Sequence, residues 1–333
     1  MIGHETLQKK LLDLFKKNRL PGGILLAGSQ GIGKFTLAKE VATYVLVGDP
    51  EGVFPVPGSH PVARRIASGG HGDLLIAQKG LTSEGRPARD ISVDQIRSII
   101  SFMRKTPLEG GWRIVIVDSV DEMNRNASNA LLKVLEEPPE RALLLLVCHS
   151  LGKILPTIRS RCQTLMVRPL SDAQMELFLK ERGVPNDLFP SLCALSEGCP
   201  GIAFRLWKED GIPLYQELLS AMTKSEVLGI SAYVSLVERY GDPLGKNDAA
   251  DSFMTLGSLA GQFLARLVAG ETLPSPSLSL LEGEREAFAA LLKRHPLAYW
   301  AKIWQKILTD LNEAHWFSLN RKQVLMSLFQ KFI

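Results

Sequence analysis

Residues 23–36 read GILLAGSQGIGKFT, and this stretch decides the fold. The apolar run Ile24 to Ala27 has the length and composition of a buried strand, and a glycine loop from Gly28 to Gly33 follows it. From Lys34 to Val47 apolar residues lie nearly all round, as in a helix pressed against a sheet. The loop fits the pattern G-x-x-x-x-G-K-[ST] at Gly28, Gly33 and Lys34, with Gly31 inside it. Glycines there let backbone N–H groups converge on phosphate oxygens at a helix N-terminus, and the lysine adds a cation. Phe35 stands where a magnesium-holding hydroxyl belongs. Thr36 comes one step late, and one helical step turns a side chain by roughly 100°, away from the metal.

Three further runs, Leu74 to Ala77, Ile114 to Val117 and Leu143 to Cys148, are apolar on both alternating positions. Strands covered on both faces read this way, so the sheet is expected to be parallel. Between them, ISVDQIRSIISFM (91–103) carries Ile91, Ile96, Ile99, Ile100 and Met103 at helical spacing. NRNASNALLKVLEEPP (124–139) places Ala127, Ala130, Leu131, Val134 and Leu135 on one stripe, with Asn124 or Asn126 as N-cap and Pro138-Pro139 as the stop. This alternation predicts a doubly wound α/β domain over 1–168. Segments 48–72 and 80–90, rich in Gly, Pro, Ser and Arg, read as surface loops inserted into it.

The strand signal fades from Leu170. LSDAQMELFLKERG, with Ser171 as cap and Gly183 as stop, opens a run of helices. A small helical unit is expected over 169–210, then a linker at Gly211 to Pro213 and a helical domain over 211–333, with a second linker in ETLPSPSLSLLEGE (271–284). The stripes Phe253, Leu256, Ala260, Phe263, Leu264, Leu267 and Trp300, Ile303, Trp304, Ile307, Leu308, Leu311 read as core or subunit interface, not as a cofactor site.

At 45% apolar and 22% charged over 333 residues, the composition is that of a soluble protein of two or three domains. No run approaches about 18 uninterrupted apolar residues, and the N-terminus carries charges where a signal peptide is apolar. The expectation is a cytoplasmic protein with no membrane partner. The net charge of +4 is uneven, with 23 Lys+Arg against 16 Asp+Glu in 1–170 and 16 against 19 in 171–333. That bias suits proximity to phosphate or nucleic acid but is too weak to establish it. Arg64, Arg65, Arg86 and Arg89 read first as solvated loop residues and only second as contacts to a phosphate backbone. Cys148, Cys162, Cys193 and Cys199 form no C-x-x-C pair and read as reduced, mostly buried thiols.

A second nucleotide element is expected as an apolar strand ending in an acid that helps hold Mg²⁺, followed by a Glu that activates water. WRIVIVDSVDEMN (112–124) supplies Asp118, but Ser119 takes the place of the Glu. Asp121 and Glu122 most simply cap or begin the next helix.

The block IVDSVDEMNRNASNALLKVLEEPPERALLLLV (116–147), followed by LPTIRSRCQTL (155–165), resembles the AAA+ clamp-loader family of bacterial DNA polymerase III. GHETLQKKLL, HGDLLIA and ISVDQIRSI agree with it, so the motifs cover roughly residues 3–205. The resemblance implies an AAA+ phosphate-loop α/β domain with a parallel sheet, a small helical lid, and an all-α C-terminal collar domain. It implies partners too: gamma/tau motor subunits and a delta subunit in a five-membered ring, the sliding clamp, and primer-template DNA met indirectly or weakly. In such rings ATP sits at subunit junctions, and a Ser-Arg-Cys motif gives an arginine finger to the neighbour's ATP. Ser160, Arg161 and Cys162 match that motif, with Arg161 as the finger and Arg159 as an alternative that could make a structural ion pair instead.

Against the family pattern, SEGCPGIAF (196–204) puts Gly201 where hydrolysing relatives carry a lid arginine, and His149 stands where a small polar sensor is usual. Phe35, Ser119 and Gly201 together remove the metal ligand, the general base and the cis cation. The expectation is therefore a non-hydrolysing ring subunit that requires no cofactor. Gly28, Gly31, Gly33, Lys34 and Asp118 form a degenerate site that can still hold ATP or ADP without hydrolysis. The alternatives are an active motor subunit, in which Lys34 and Asp118 suffice for slow turnover, and a phosphate-loop kinase or other nucleotide-dependent repair protein, which leaves the Ser-Arg-Cys block unexplained. Many family members carry four zinc-binding cysteines between the phosphate loop and the HGD segment. Here that region has none, His60 and His71 are lone loop histidines, and no zinc is expected.

Overall fold

The computed structural model describes residues 2–48, 54–80, 88, 90–109, 111–241, 249–272, 281–316 and 320–333. The chain divides into two compact units, Met1–Gln174 with Cys199–Gly201, and Met175–Gly198 with Ile202–Ile333. Arg86 and Arg89, most of the 80–90 segment and the middle of the 271–284 segment lie outside the described residues.

The first unit runs α1 (Glu5–Lys16), β1 (Gly23–Ala27), α2 (Lys34–Val47), α3 (Pro61–Ala67), β2 (Leu74–Gln78), α4 (Val93–Met103), β3 (Arg113–Asp118), α5 (Arg125–Glu136), β4 (Ala142–Cys148), α6 (Pro156–Arg161) and β5 (Gln163–Met166). All neighbouring strands pair in parallel, in the order β2-β3-β4-β1-β5. The three inner strands are buried almost throughout, as their unbroken apolar sequences require. Leu25, Val115, Val117, Leu144 and Leu146 meet Ile96, Ile99, Ala127, Leu131 and Val134 of α4 and α5 in one core. Asn124 caps α5, its side chain accepting from Ala127 N at 2.9 Å, and Ser92 and Gln95 close a reciprocal capping box on α4.

Three expectations need correction. β2 lies at the sheet edge and only Ala77 is fully buried, so it is not covered on both faces. The opposite edge, β5, gave no strand signal: QTLM is four residues long and mixes polar with apolar positions. The stretch read as a loop over 48–72 contains α3, which forms because Pro61 sits in the first turn, His60 accepts from Val62 N, and Val62 and Ile66 bury one face.

Among the described residues the second unit has helices and no strand, with α7 (Asp172–Glu181) beginning at its boundary. It continues through α8 (Phe189–Ser196), α9 (Pro200–Lys208), α10 (Gly211–Leu228), α11 (Val234–Tyr240), α12 (Ala249–Thr272), α13 (Glu284–Arg294), α14 (Leu297–Trp316) and α15 (Arg321–Gln330). Gly211 to Pro213 is not a linker but the first turn of α10, where proline is tolerated because its missing N–H has no intrahelical partner. The α12 stripe from Phe253 to Leu267 is buried. The stretch Phe253–Gly270 is long and apolar enough to cross a membrane, but 61% of it is buried inside the protein, as in a core helix of a bundle. On α14, Trp300, Ile303, Ile307 and Leu311 are buried, Trp304 is half-buried, and the Leu308 side chain lies outside the described residues.

Glu284, placed by its sequence in a linker, opens α13 and is fully buried. Its two oxygens accept from Arg266 Nε at 2.7 Å and Nη2 at 2.8 Å, and Tyr215 Oη donates to Oε1 at 2.6 Å. Burial, with the carboxylate beside it, raises the Tyr215 pKa far above the ordinary phenol value, so that hydroxyl stays a donor.

Candidate functional site

β1, β3 and β4 run in register, with Ala27 opposite Cys148 and Asp118 opposite Val147, so the segments that follow them meet beyond the carboxyl ends of the strands. In open α/β sheets the crevice beyond the carboxyl ends of the strands is where ligands bind. Gly28 N donates to Cys148 O at 3.3 Å, anchoring the loop to β4. Gly31 and Gly33 both adopt the left-handed conformation, at φ 77° and 99°, and Gly33 forms the N-cap of α2.

Lys34 opens α2 and is 3% exposed. Its Nζ donates to Gly28 O at 2.7 Å and Ser29 O at 2.6 Å, so the ammonium is held by the loop's own carbonyls. Burial lowers its pKa to about 8, and the carboxylates of Asp121 and Asp118 push the other way. Phe35 is half-buried, with Lys39 Nζ 6.0 Å from its ring centroid, and Thr36 is exposed. Burial raises the pKa of Asp118 at the end of β3. Ser119, in the general-base position, is 3% exposed.

Asp121 neither caps nor begins an α-helix. It lies in the single 3₁₀ turn Val120–Glu122, and its carboxylate accepts from His149 N at 2.9 Å and Ser150 N at 3.0 Å, tying that turn to the end of β4. Glu122 pairs with Lys79 at 2.7 Å, and the α5 cap falls to Asn124. The His149 ring has a buried Nδ1 without a hydrogen-bond partner, and burial followed by the Lys34 charge lowers its pKa.

Two parts of this arrangement had no clear sequence signal. His4, within GHETL, is 5% exposed and its Nε2 lies 3.1 Å from Ile32 O, fixing the chain before α1 to the phosphate loop. Gly201 N donates to Gly31 O at 2.7 Å, which places the Cys199–Gly201 turn, where α9 begins, directly on that loop.

The Ser-Arg-Cys block is built differently. Pro156 starts α6 and the short helix ends at Arg161. Cys162 turns inward, its Sγ 3.1 Å from where a Cβ on Gly23 would stand, and burial raises its pKa to about 11. Ser160 Oγ donates to Thr157 O at 3.1 Å. Arg161 Nη1 donates to Thr157 O at 3.1 Å and its Nη2 pairs with Glu136 at 2.9 Å, with side chains 37% and 49% exposed. The ion pair therefore belongs to Arg161, and Arg159, also exposed, makes none among the described residues. Because β5 begins at Gln163 beside Ile24, Arg161 lies at the start of β1 and the phosphate loop at its end. The two candidate sites are at opposite ends of the strands of one sheet.

Arg65 pairs with Glu109 at 2.8 Å and Arg64 is exposed. His60 caps α3, and His71, 5% exposed, accepts from Asp73 N at 3.2 Å. Among the described residues no three His, Cys, Asp or Glu side chains gather to hold a metal, and no disulfide joins the four cysteines.

A five-stranded parallel sheet, a glycine loop capping the helix after β1, and an all-helical region beyond place the protein in the AAA+ phosphate-loop class. A family model described as DNA polymerase III, delta subunit, matches residues 3–171, and the chain belongs to that family. Its relatives include the DNA polymerase III subunit delta-prime of Pseudomonas aeruginosa, 36% identical over 185 residues, or 55% of this chain and 54% of that one. Delta-prime of Bacillus subtilis is 33% identical over 192 residues, covering 57% and 54%. Delta-prime of Yersinia pestis is 30% identical over 244 residues, covering 71% and 68%. The chain thus spans about half the length of the first two of these relatives.

Proposed function

We propose that this chain is a delta-prime-like subunit of the DNA polymerase III clamp loader, one that turns over no ATP itself and lends Arg161 to the ATP of an adjacent motor subunit. The observation that carries this reading is the separation of the two sites. Arg161 is exposed at the amino end of the β1–β5 strand pair while the chain's own phosphate loop lies at the carboxyl end of β1, a β1 length away, roughly 13–16 Å for five residues. That guanidinium can serve only a phosphate brought by another molecule. A permanent planar cation beside a γ-phosphate stabilises the charge that develops during phosphoryl transfer. The chain's own site lacks what hydrolysis needs: Phe35 offers no metal ligand, Ser119 no general base, and Gly201 no cation.

In this reading the partners are gamma/tau and delta subunits in a pentameric ring, together with the sliding clamp and, indirectly, primer-template DNA, and the setting is the cytoplasmic replisome. Neither nucleotide nor zinc is required by this chain. Mixing it with motor and delta subunits should give an assembly whose intact mass includes one copy of it, and the isolated chain should show no steady-state ATPase. A second reading, an active motor subunit, draws on Lys34 and Asp118 and on relatives such as the gamma subunit of Buchnera aphidicola, 29% identical over 181 residues. Turnover by the isolated chain that Lys34→Ala abolishes would establish that reading and overturn the first.

A further inference from the structure

The absence of a side chain at position 201 reads from sequence as a lost arginine. The structure gives it a positive role. Gly201 N donates to Gly31 O at 2.7 Å, and a Cβ at 201 would stand 2.8 Å from that oxygen and 3.1 Å from Gly31 Cα. The obstacle is backbone, which cannot swing aside as a flexible side chain can, so only glycine fits with the turn seated. Cys199 is 3% exposed and the whole Cys199–Gly201 turn belongs to the first compact unit, with the loop it touches. Below the turn, Lys34 is already bound to Gly28 O and Ser29 O. The cation is satisfied, the Gly31 carbonyl is taken by the turn while Ser29 and Gln30 stay exposed, and these contacts all come from the chain itself.

We infer that the phosphate loop of this protein is a seat for its own Cys199–Gly201 turn, and that the turn and the phosphates of a nucleotide exclude one another. Gly31 serves as an acceptor for the turn, and Lys34 braces the loop against its own carbonyls. This inference is independent of clamp loading and is tested on the isolated chain.

Acylation of lysines by an activated ester, read peptide by peptide by mass spectrometry, should find Lys34 strongly protected relative to Lys9 and Lys10. Gly201→Leu should unseat the turn and raise Lys34 and Cys199 labelling about tenfold or more, the factor that one buried hydrogen bond commands. Unchanged protection in that variant would overturn the inference. The wild-type chain gives a second readout that needs no variant: hydrogen exchange across 199–201 with and without MgATP. If MgATP binds, the Gly201 amide should lose its protection as it does. Saturable MgATP binding with that amide still protected would show that turn and nucleotide coexist, and the inference would fail.

Discussion

Replacing Lys34 by methionine should change the pH dependence of stability in a direction and size fixed by its surroundings. The ammonium is 3% exposed and its pKa falls from the ordinary 10.5 to about 8, mainly because burial penalises the charge. In the folded chain Lys34 therefore releases its proton near pH 8, while in the unfolded chain it holds it to about 10.5. Between those values the unfolded state binds more protons, so stability rises with pH. The cost of the buried charge is fully present below pH 8 and is relieved as the pH climbs toward 10.5. At 1.36 kcal/mol per pKa unit, the wild type should gain about 1.3 kcal/mol over Lys34→Met between pH 7 and pH 9. Urea unfolding of both proteins at each pH measures this, because the difference between them cancels every titration that does not sense the Lys34 charge. A difference that stays the same at both values would refute the reasoning: the amine would then be hydrated, and not clamped on Gly28 and Ser29.

Glu284→Ala should destabilise the helical unit by about 3–5 kcal/mol, because it strips a buried Arg266 of its carboxylate; thermal unfolding followed by helical circular dichroism reads the loss. Asn124→Ala should cost about 1 kcal/mol by removing the cap of α5, with Asn124→Asp restoring most of it in the same urea assay.

The parts of the fold that were legible are those whose physics is local. β1, β3 and β4 announce themselves because strands buried on both faces have no polar alternation, and α5 because its stripe, cap and proline stop agree. The edges were harder. QTLM looks like loop because β5 is short and only one of its four residues is fully buried, and α3 hides in a glycine- and proline-rich stretch. The site was legible in its residues but not in their contacts. Nothing near Asp121 says that it will accept from amides 28 residues away, and nothing near Glu284 says that Tyr215, 69 residues earlier, will reach it. Gly201 is the sharpest instance, since its backbone meets Gly31, and a sequence shows a missing side chain far more readily than the close approach that its absence permits.

The central claim is that Arg161 acts on another subunit's ATP. Its ion pair with Glu136 is exposed on both sides and worth at most about 1 kcal/mol, so Arg161→Ala should leave folding and assembly intact. A trans arginine contributes on the order of 10³ to 10⁵ in rate at the site it serves. Single-turnover ATP hydrolysis by the reconstituted complex, stimulated by primed DNA and clamp, should lose the phase that belongs to the adjacent site when this subunit carries Arg161→Ala. Full amplitude and rate in every phase, at full occupancy of the variant, would contradict the account.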